Sequence, residues 1–522
     1  MSARDQLREV SRLAIAAWHT RLGMRYTGEH LSGYVTAAED RIPFSRKIAY
    51  GLGAFVNNML AAAVGGMLII LNLGFGMNPA LVGLMSAIPR AVDAVIDPVM
   101  GFVSDMTHSR WGRRRPYIFI GAILSGITYA VLWYLPVGRS ESFYFWYFLV
   151  CSMVFYVAYT IFAAPWVALG YELTPDYHER TRLMGVQNFI GQIAYLVSPW
   201  FLWIMQNKAW FATSAEGAKW LAITIGIVAA VVGVIPAIVL REKFSEAVPT
   251  PVAADVPGAA AAPAEPFMAR LGRQVSAFLK GFVGTIRSRP FLKLCGATFL
   301  VFNGFIMISS FSSYVTIYYV FKGDQEMGAR YAGYNGTLGA VSTFGVIFLV
   351  TWLATQIGKR KAFFFSTGVS IFGYLLKWFC YSQAHPWLVL LPSPLIAFGL
   401  GGLFTLMGSM IADVVDEDEI VTHQRREGMF GSIYWWVVKV GMAAALAAGG
   451  FLINATGFDV VLAGAQTERT LLLLRVFDVG IPALTSALAI WMIASYPITE
   501  DRAHSVRVEL ERRRKVSAGA SA

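Results

Sequence analysis

Twelve long apolar stretches constrain this 522-residue chain more than any other feature of its sequence. A helix needs about 20 mainly apolar residues to cross the hydrocarbon core of a bilayer, and inside a bilayer its backbone groups must bond to one another. The chain is 56% hydrophobic and 14% charged, a composition typical of a polytopic membrane protein. The predicted fold class is therefore all-α integral membrane, with spans at 46–72, 79–106, 115–136, 143–170, 183–207, 219–240, 291–321, 331–357, 361–383, 387–412, 428–455 and 470–496.

A Pro- and Ala-rich stretch at 247–266 divides six predicted spans from six. Such a composition forms neither a span nor a packed core and is typical of a linker. A basic GRRRP turn after the second span and a GKRK turn after the eighth form a weak internal repeat. The predicted parts are a basic N-terminal segment (1–45), a six-helix bundle (46–240), a linker with a basic amphipathic stretch (241–290), a second six-helix bundle (291–496) and a tail (497–522).

The basic residues are distributed unevenly between the two sets of loops. The termini and every second loop carry 33 Lys and Arg residues, and the opposite loops carry six. Because cytoplasmic loops are enriched in Lys and Arg, we expect both termini in the cytoplasm and a plasma membrane location, in bacteria the inner membrane. This bias explains most of the net charge of +11 without a nucleic acid partner.

The N-terminal segment has two open interpretations. Its apolar run at 13–18 is too short for a cleavable signal peptide. Apolar residues recur at helical spacing within 3–22, between arginines, which fits a helix lying on the inner membrane surface and equally a basic tail.

Three charged residues interrupt the second predicted span. Arg90, Asp93 and Asp97 lie three and four residues apart, so they share one face of a helix. A charge at the bilayer centre costs about 2.5–3.5 kcal/mol and normally faces a protein interior or an ion pathway. The two carboxylates can hold a small cation or share a proton. The alternative is a structural ion-pair cluster that joins helices.

Four passages carry a family resemblance. They are AYGLGAFVNN (49–58), AVDAVIDP (91–98), GFVSDMTHSRWGRRRP (101–116) and MIADVVDEDEIVTHQRREGMFGSIYWWVVKVG (410–441). Together they resemble the glycoside-pentoside-hexuronide:cation symporters, the melibiose permease-like family of the major facilitator superfamily. The resemblance implies two pseudo-symmetric six-helix bundles, and H⁺- or Na⁺-coupled symport of a sugar or glycoside by alternating access.

The resemblance also assigns roles to residues. It implies a cation site formed by Asp93, Asp97 and Thr160, with Arg90 and Lys439 as coupling residues. It implies no cofactor beyond the coupling ion, and no metal beyond Na⁺ at the two acids.

Four positions depart from the melibiose-type pattern. Asn58, Ala163 and Asn188 stand where that pattern has its main sugar-binding charges, which favours a different substrate. Ile96 stands where some members of the family have a polar residue between the two acids, and one fewer oxygen ligand favours H⁺ over Na⁺.

Two further groups of residues are candidates. Amide and aromatic side chains that can contact a sugar are Asn57, Asn58, Tyr156, Tyr159, Trp166, Gln187, Asn188, Asn303 and Trp435. Charged residues at the cytoplasmic ends of helices, which can form a charge-pair gate, are Asp105, Arg110, Arg113, Asp413, Asp416 and Arg425.

Two other functions compete with sugar symport. A transporter of a lysolipid or another amphiphilic or anionic solute fits the same architecture. A transporter-like sensor or a membrane enzyme is less well supported, because no His, Cys or Ser constellation has catalytic spacing and the three cysteines form no CxxC pattern. We therefore expect a transporter rather than an enzyme, acting as a monomer in contact with membrane lipids.

Overall fold

A computed structural model describes residues 40–107, 109–174, 176–242, 272, 285–423 and 426–520. These residues form helices, turns and connecting segments, with no strand among them. The predicted surface helix within 3–22, most of the linker and Arg425 lie outside the described residues.

Thirteen main helices follow one another along the described chain. They are α1 (Phe44–Met67), α2 (Pro79–Met106), α3 (Arg115–Leu132), α4 (Glu141–Glu172), α5 (Tyr177–Val197), α6 (Ser214–Gly233), α7 (Arg289–Tyr314), α8 (Gln325–Ile357), α9 (Lys359–Cys380), α10 (Pro392–Thr422), α11 (Glu427–Ala455), α12 (Glu468–Ala494) and α13 (Glu500–Ala520). Short helical turns extend α1, α5 and α6 at Ile69–Leu73, Phe201–Gln206 and Ile235–Val239, and a π-helical turn extends α7 at Val315–Val320. Twelve helices of the described chain are long and apolar enough to span a membrane, which confirms the predicted fold class.

Polar residues fix where several helices begin. Asn78 accepts a hydrogen bond from the backbone N–H of Ala80 at 2.8 Å, directly before Pro79 at the start of α2. Asp324 accepts from the N–H of Met327 at 3.1 Å at the start of α8. Such caps satisfy N–H groups that have no partner inside the helix.

The first six helices pack mainly against one another, as do α7 to α12, and two helix pairs join the halves. These are α2 with α11, and α5 with α8. The first pair approaches closely because of glycine: a methyl group at Gly83 would lie 2.7 Å from the carbonyl oxygen of Leu446, and one at Gly450 would overlap the carbonyl oxygen of Pro79. Larger side chains at these glycines would separate the two halves.

We call the side on which α1 begins and α12 ends the terminal face, and the opposite side the distal face. At the distal face, hydrogen bonds link the halves from Tyr314 to Asn72 at 2.8 Å and from Asn78 to Asn454 at 3.2 Å. Trp200 adds a third, to Thr337, at 2.9 Å.

Apolar packing follows the same division. One core cluster contains residues of the first half together with the distal ends of helices from the second half. The other cluster contains residues of the second half alone. The structure is therefore a conformation closed at the distal face.

The C-terminal helix α13 packs against α10 at the terminal face. Val506 and Leu510 are buried, and Arg513 donates a hydrogen bond to the carbonyl oxygen of Ile420 at 3.1 Å. The segment predicted as a tail is thus a docked helix over most of its length.

Candidate functional site

Asp93 is the centre of the candidate site, near the middle of α2. Its side chain is fully buried, with 0% exposure. Thr160 of α4 donates a hydrogen bond from its hydroxyl to Asp93 Oδ1 at 2.9 Å. A buried carboxylate needs such donors, because burial removes the water that would otherwise solvate it. The structure thus brings together the helix 2 acid and the threonine expected beside it.

Lys439 reaches this site from α11, across the boundary between the halves. Its Nζ lies 3.0 Å from Asp93 Oδ2 and forms a second, short ion pair with Asp97 Oδ2. The side chain of Asp97 is 37% exposed, whereas that of Asp93 is inaccessible. One ammonium of the second half therefore bridges two carboxylates of the first, and one of these carboxylates is partly exposed.

Arg90 is the second cation of the cluster and makes weaker contacts. Its Nη1 lies 3.7 Å from Asp93 Oδ2, and its guanidinium lies over the ring of Tyr156 at 5.4 Å. Its Nε contacts the sulfur of Met442 at 3.2 Å. Sequence reasoning missed Met442, although its position three residues after Lys439 places both on one face of α11.

A row of polar side chains continues from this cluster along α1. The Tyr159 hydroxyl donates to Asn57 Oδ1 at 2.8 Å, and Asn57 donates to Asn58 Oδ1 at 3.3 Å. Asn58 in turn donates to the carbonyl oxygen of Gly191 at 3.1 Å. These hydroxyl and amide groups can exchange hydrogen bonds with the hydroxyls of a ligand.

The remaining substrate candidates are dispersed. Trp166 is 2% exposed, stacks on Tyr50 and donates its indole N–H to the Tyr50 carbonyl oxygen at 3.2 Å. This contact gives Trp166 a packing role within the first half. On α5, Gln187 is half-buried and Asn188 is exposed.

Two substrate candidates belong to the second half. Trp435 lies on α11, and Asn303 packs against that helix. Trp435, one turn before Lys439, is 55% exposed and stacks on Phe404. Asn303 of α7 is buried against Gly441, and neither polar atom of its amide has a hydrogen-bond partner in the described structure. An unpaired buried amide is unfavourable, which makes Asn303 a candidate for a hydrogen bond to a ligand.

Two of the gate candidates, Arg113 and Asp413, form ion pairs within their own halves. Arg113 pairs with Glu172 at the end of α4, and Asp413 pairs with Lys359 at 2.7 Å. Arg110 is exposed and Asp416 is half-buried. Asp105 lies near the end of α2, and its side chain is not among those described.

Glu242 is a further acid at the terminal face that sequence reasoning missed. It accepts hydrogen bonds from the backbone N–H groups of Arg113, Arg114 and Arg115 at 2.9, 2.8 and 3.2 Å. An acid at a helix N-terminus is favourable, but this one lies more than 120 residues away in sequence, so no local signal identifies it.

The oxygen atoms of Asp93, Asp97 and Thr160 are the groups available to a hard cation. The Lys439 ammonium lies between the two carboxylates, where a bound cation would compete with it. Among the described residues no cluster of His, Cys, Asp and Glu has the arrangement of a multivalent metal site. The arrangement can exchange an internal cation, Lys439, for an external one.

The sequence model of a family described as MFS/sugar transport protein matches residues 49–500. An isoprimeverose transporter of Lactiplantibacillus pentosus is 24% identical over 88% of this chain and 90% of that protein. A glucuronide carrier protein homolog of Escherichia coli (strain K12) is 24% identical over 90% of this chain and 96% of that protein. A sodium-dependent lysophosphatidylcholine symporter 1-B of Danio rerio is 23% identical over 91% of each chain.

A solved structure has the same fold. The crystal structure of a D-xylose-proton symporter superposes with a TM-score of 0.59, covering 88% of this chain and 99% of that chain at 12% identity. At this identity the likeness concerns the fold alone.

Proposed function

The chain belongs to the MFS/sugar transport protein family, and from that premise we propose that it is a cation-coupled symporter of a sugar or glycoside, driven by H⁺ or Na⁺. Family membership confirms the prediction of a membrane transporter rather than an enzyme. The substrate class is supported by relatives named for isoprimeverose and for glucuronides.

The bridge from Lys439 to Asp93 and Asp97 is the observation that carries the proposal. A proton or Na⁺ bound at the acids weakens their attraction for the ammonium and frees Lys439, which then offers three donors to a substrate. Cation and substrate thereby favour each other's binding, and such coupling is typically worth about 1–3 kcal/mol. Because the bridge crosses the boundary between the halves, its release also alters the contact between them.

The hydrogen bonds that join the halves at the distal face support alternating access, because they close one side of the molecule. In the closed conformation described here, the more exposed acid, Asp97, lies one helical turn nearer the terminal face than the buried Asp93. The site is thus reached from the terminal face. The distribution of basic residues predicts cytoplasmic termini, and with that orientation the proposed symporter faces inward in the bacterial inner membrane.

In the proposed cycle, Arg113 and Asp413 belong to a cytoplasmic gate. Their ion pairs with Glu172 and Lys359, each within one half, are the arrangement of the open gate. When the terminal face closes, these charges exchange partners across the halves, and Arg110 and Asp416 are further candidate partners. The roles of Asp105 and Arg425 in this gate rest on the sequence alone. The substrate meets Asn57, Asn58, Tyr156, Tyr159 and Asn303, near the middle of their helices, as expected for a site between two halves.

A lysolipid is the second candidate substrate, supported by the relative named for lysophosphatidylcholine. The exposed stack of Trp435 on Phe404, one turn from Lys439, offers apolar surface beside a cation. This combination suits an acyl chain with a phosphate in its headgroup as well as a glycoside.

Transport by purified protein in liposomes tests the proposal. Substrates are isoprimeverose, a glucuronide and lysophosphatidylcholine, each with an imposed H⁺ or Na⁺ gradient. We expect one glycoside to accumulate above its external concentration with one of the two gradients. Asp97→Asn should abolish accumulation, whereas Asp501→Asn, an exposed acid of α13, should not.

Accumulation by Asp97→Asn at the wild-type level would overturn the cation site. Transport of lysophosphatidylcholine alone would overturn the substrate class. Ligand-induced thermal stabilisation provides a faster first screen, because a ligand of the folded state raises apparent stability.

A further inference from the structure

A second buried ion pair lies in the second half, apart from the candidate cation site. Lys377 Nζ of α9 is 2.6 Å from Asp478 Oδ2 of α12, and the two side chains are 7% and 0% exposed. The Tyr381 hydroxyl donates to the same carboxylate oxygen. A buried ion pair is often no more stabilising than apolar residues of the same size, and ionisable groups within a membrane usually serve function.

This ion pair contacts the distal end of α7. Lys377 Nζ donates to Ser312 Oγ at 3.4 Å. One turn before Asp478, the Arg475 guanidinium lies between the rings of Tyr319 and Trp378, 4.2 Å from each ring centre. Charged groups of α9 and α12 therefore contact α7 and its π-helical extension at two levels. Lys377 contacts Ser312, and Arg475 contacts Tyr319.

The segment held in this way carries a contact between the halves. Tyr314 lies between those two levels, and its hydroxyl donates to Asn72 Oδ1 of the first half at 2.8 Å. Directly after Tyr314 the backbone changes from α- to π-helical over Val315–Val320. Single π-helical turns occur frequently at functional sites. Tyr314 also packs edge-on against Phe458, which lies between α11 and α12.

We propose that Lys377, Asp478 and Tyr381 are positioning residues for transport, holding the end of α7 where Tyr314 meets Asn72. They thereby set the balance between conformations with the distal face closed and open. Lys377 and Tyr381 both bind Asp478 Oδ2, whereas Oδ1 is buried without a hydrogen-bond partner. The carboxylate of Asp478 is thus held through one oxygen. Loss of its charge would release Lys377 from the ion pair and weaken the hydrogen bond from Lys377 to Ser312.

Spin-label distances across the distal face test this role. Labels at Val137→Cys and Val461→Cys, 76% and 84% exposed in the first and second half, report the separation of the halves. The background replaces Cys151, Cys295 and Cys380 by alanine. We expect Asp478→Asn to raise the long-distance population several-fold, and Tyr381→Phe to change it in the same direction by less.

The charge swap, Lys377→Asp with Asp478→Lys, should restore the wild-type distance distribution. If Asp478→Asn does not fold, Tyr381→Phe alone decides the matter, because it removes one hydroxyl and no charge. Distances that stay unchanged in the folded variants, even with lowered thermal stability, would overturn the proposal and leave a structural ion pair. The measurement requires neither substrate nor cation, so its outcome is independent of the role of Asp93 and Asp97.

Discussion

Thr160 is the clearest test of the site at the scale of single residues. Thr160→Val keeps the shape of the side chain and removes the donor to Asp93 Oδ1. Hydrogen bonds to charged groups contribute about 1.5–3 kcal/mol. If Na⁺ drives transport, it loses an oxygen ligand in this variant, and we expect its apparent affinity to fall by about ten- to a hundredfold. If H⁺ drives transport, the ionised Asp93 loses a donor, and we expect the apparent affinity for H⁺ to rise instead. The measurement is uptake against cation concentration at fixed substrate. Thr160→Ser keeps the hydroxyl, and an equal change in that variant would contradict this role.

Lys439 gives a different prediction, because the proposed cycle requires its ammonium to leave the two acids. Without it, the two acids have no internal ammonium to replace a bound cation, and the carrier returns with the cation still in place. We expect Lys439→Ala to lose accumulation while continuing to exchange labelled for unlabelled substrate. Lys439→Arg keeps a positive charge and should retain part of the accumulation. A Lys439→Ala protein that accumulates substrate normally would contradict the coupling role.

The contact of α2 with α11 is the feature to test at the scale of elements. A methyl group at Gly450 would overlap Pro79, whereas one at Gly431 on the same helix meets no described atom within 4 Å. Overpacking costs about 1–3 kcal/mol. We expect Gly450→Ala to shift the Val137 to Val461 distance distribution toward the open distal face by about tenfold. Gly431→Ala should leave it unchanged, and equal shifts would indicate a nonspecific effect.

The extents of helices show what apolar patterning can and cannot predict. The predicted span 79–106 agrees with α2, since its charges lie on one face of an otherwise apolar segment. The predicted span 387–412 ends ten residues before α10 does, because the acidic stretch DVVDEDEIVT remains helical beyond the apolar part. Hydropathy reports the membrane portion of a helix and not where its hydrogen bonding ends.

The candidate site shows a similar limit. The spacing of Asp93 and Asp97 indicates a shared face, because helical periodicity is local. Lys439 was predicted near these acids only by family resemblance. Met442, Glu242 and the pair of Lys377 with Asp478 were missed as partners, because residues from separate helices meet only through tertiary packing.

The orientation of the whole molecule is open to direct measurement. Cysteines at Val137 and Val461 lie at the distal face, and one at Val421, which is 75% exposed, lies at the terminal face. In intact bacterial cells we expect a membrane-impermeant thiol reagent to label the first two and not the third, in a background without the native cysteines. Permeabilised cells should show labelling at all three. The reverse pattern in intact cells would contradict the orientation inferred from the basic loops.

The Lys439 bridge also has an electrical consequence. In the empty carrier the two carboxylates face one guanidinium and one ammonium, so the site moves no net charge on its return. A carrier loaded with a monovalent cation and a neutral sugar moves one charge, and each 100 mV of membrane potential then contributes about 2.3 kcal/mol to that step. With a uronate as cargo the loaded form is neutral, and the membrane potential drives neither step. Transport current at fixed concentration gradients thus distinguishes neutral from acidic cargo.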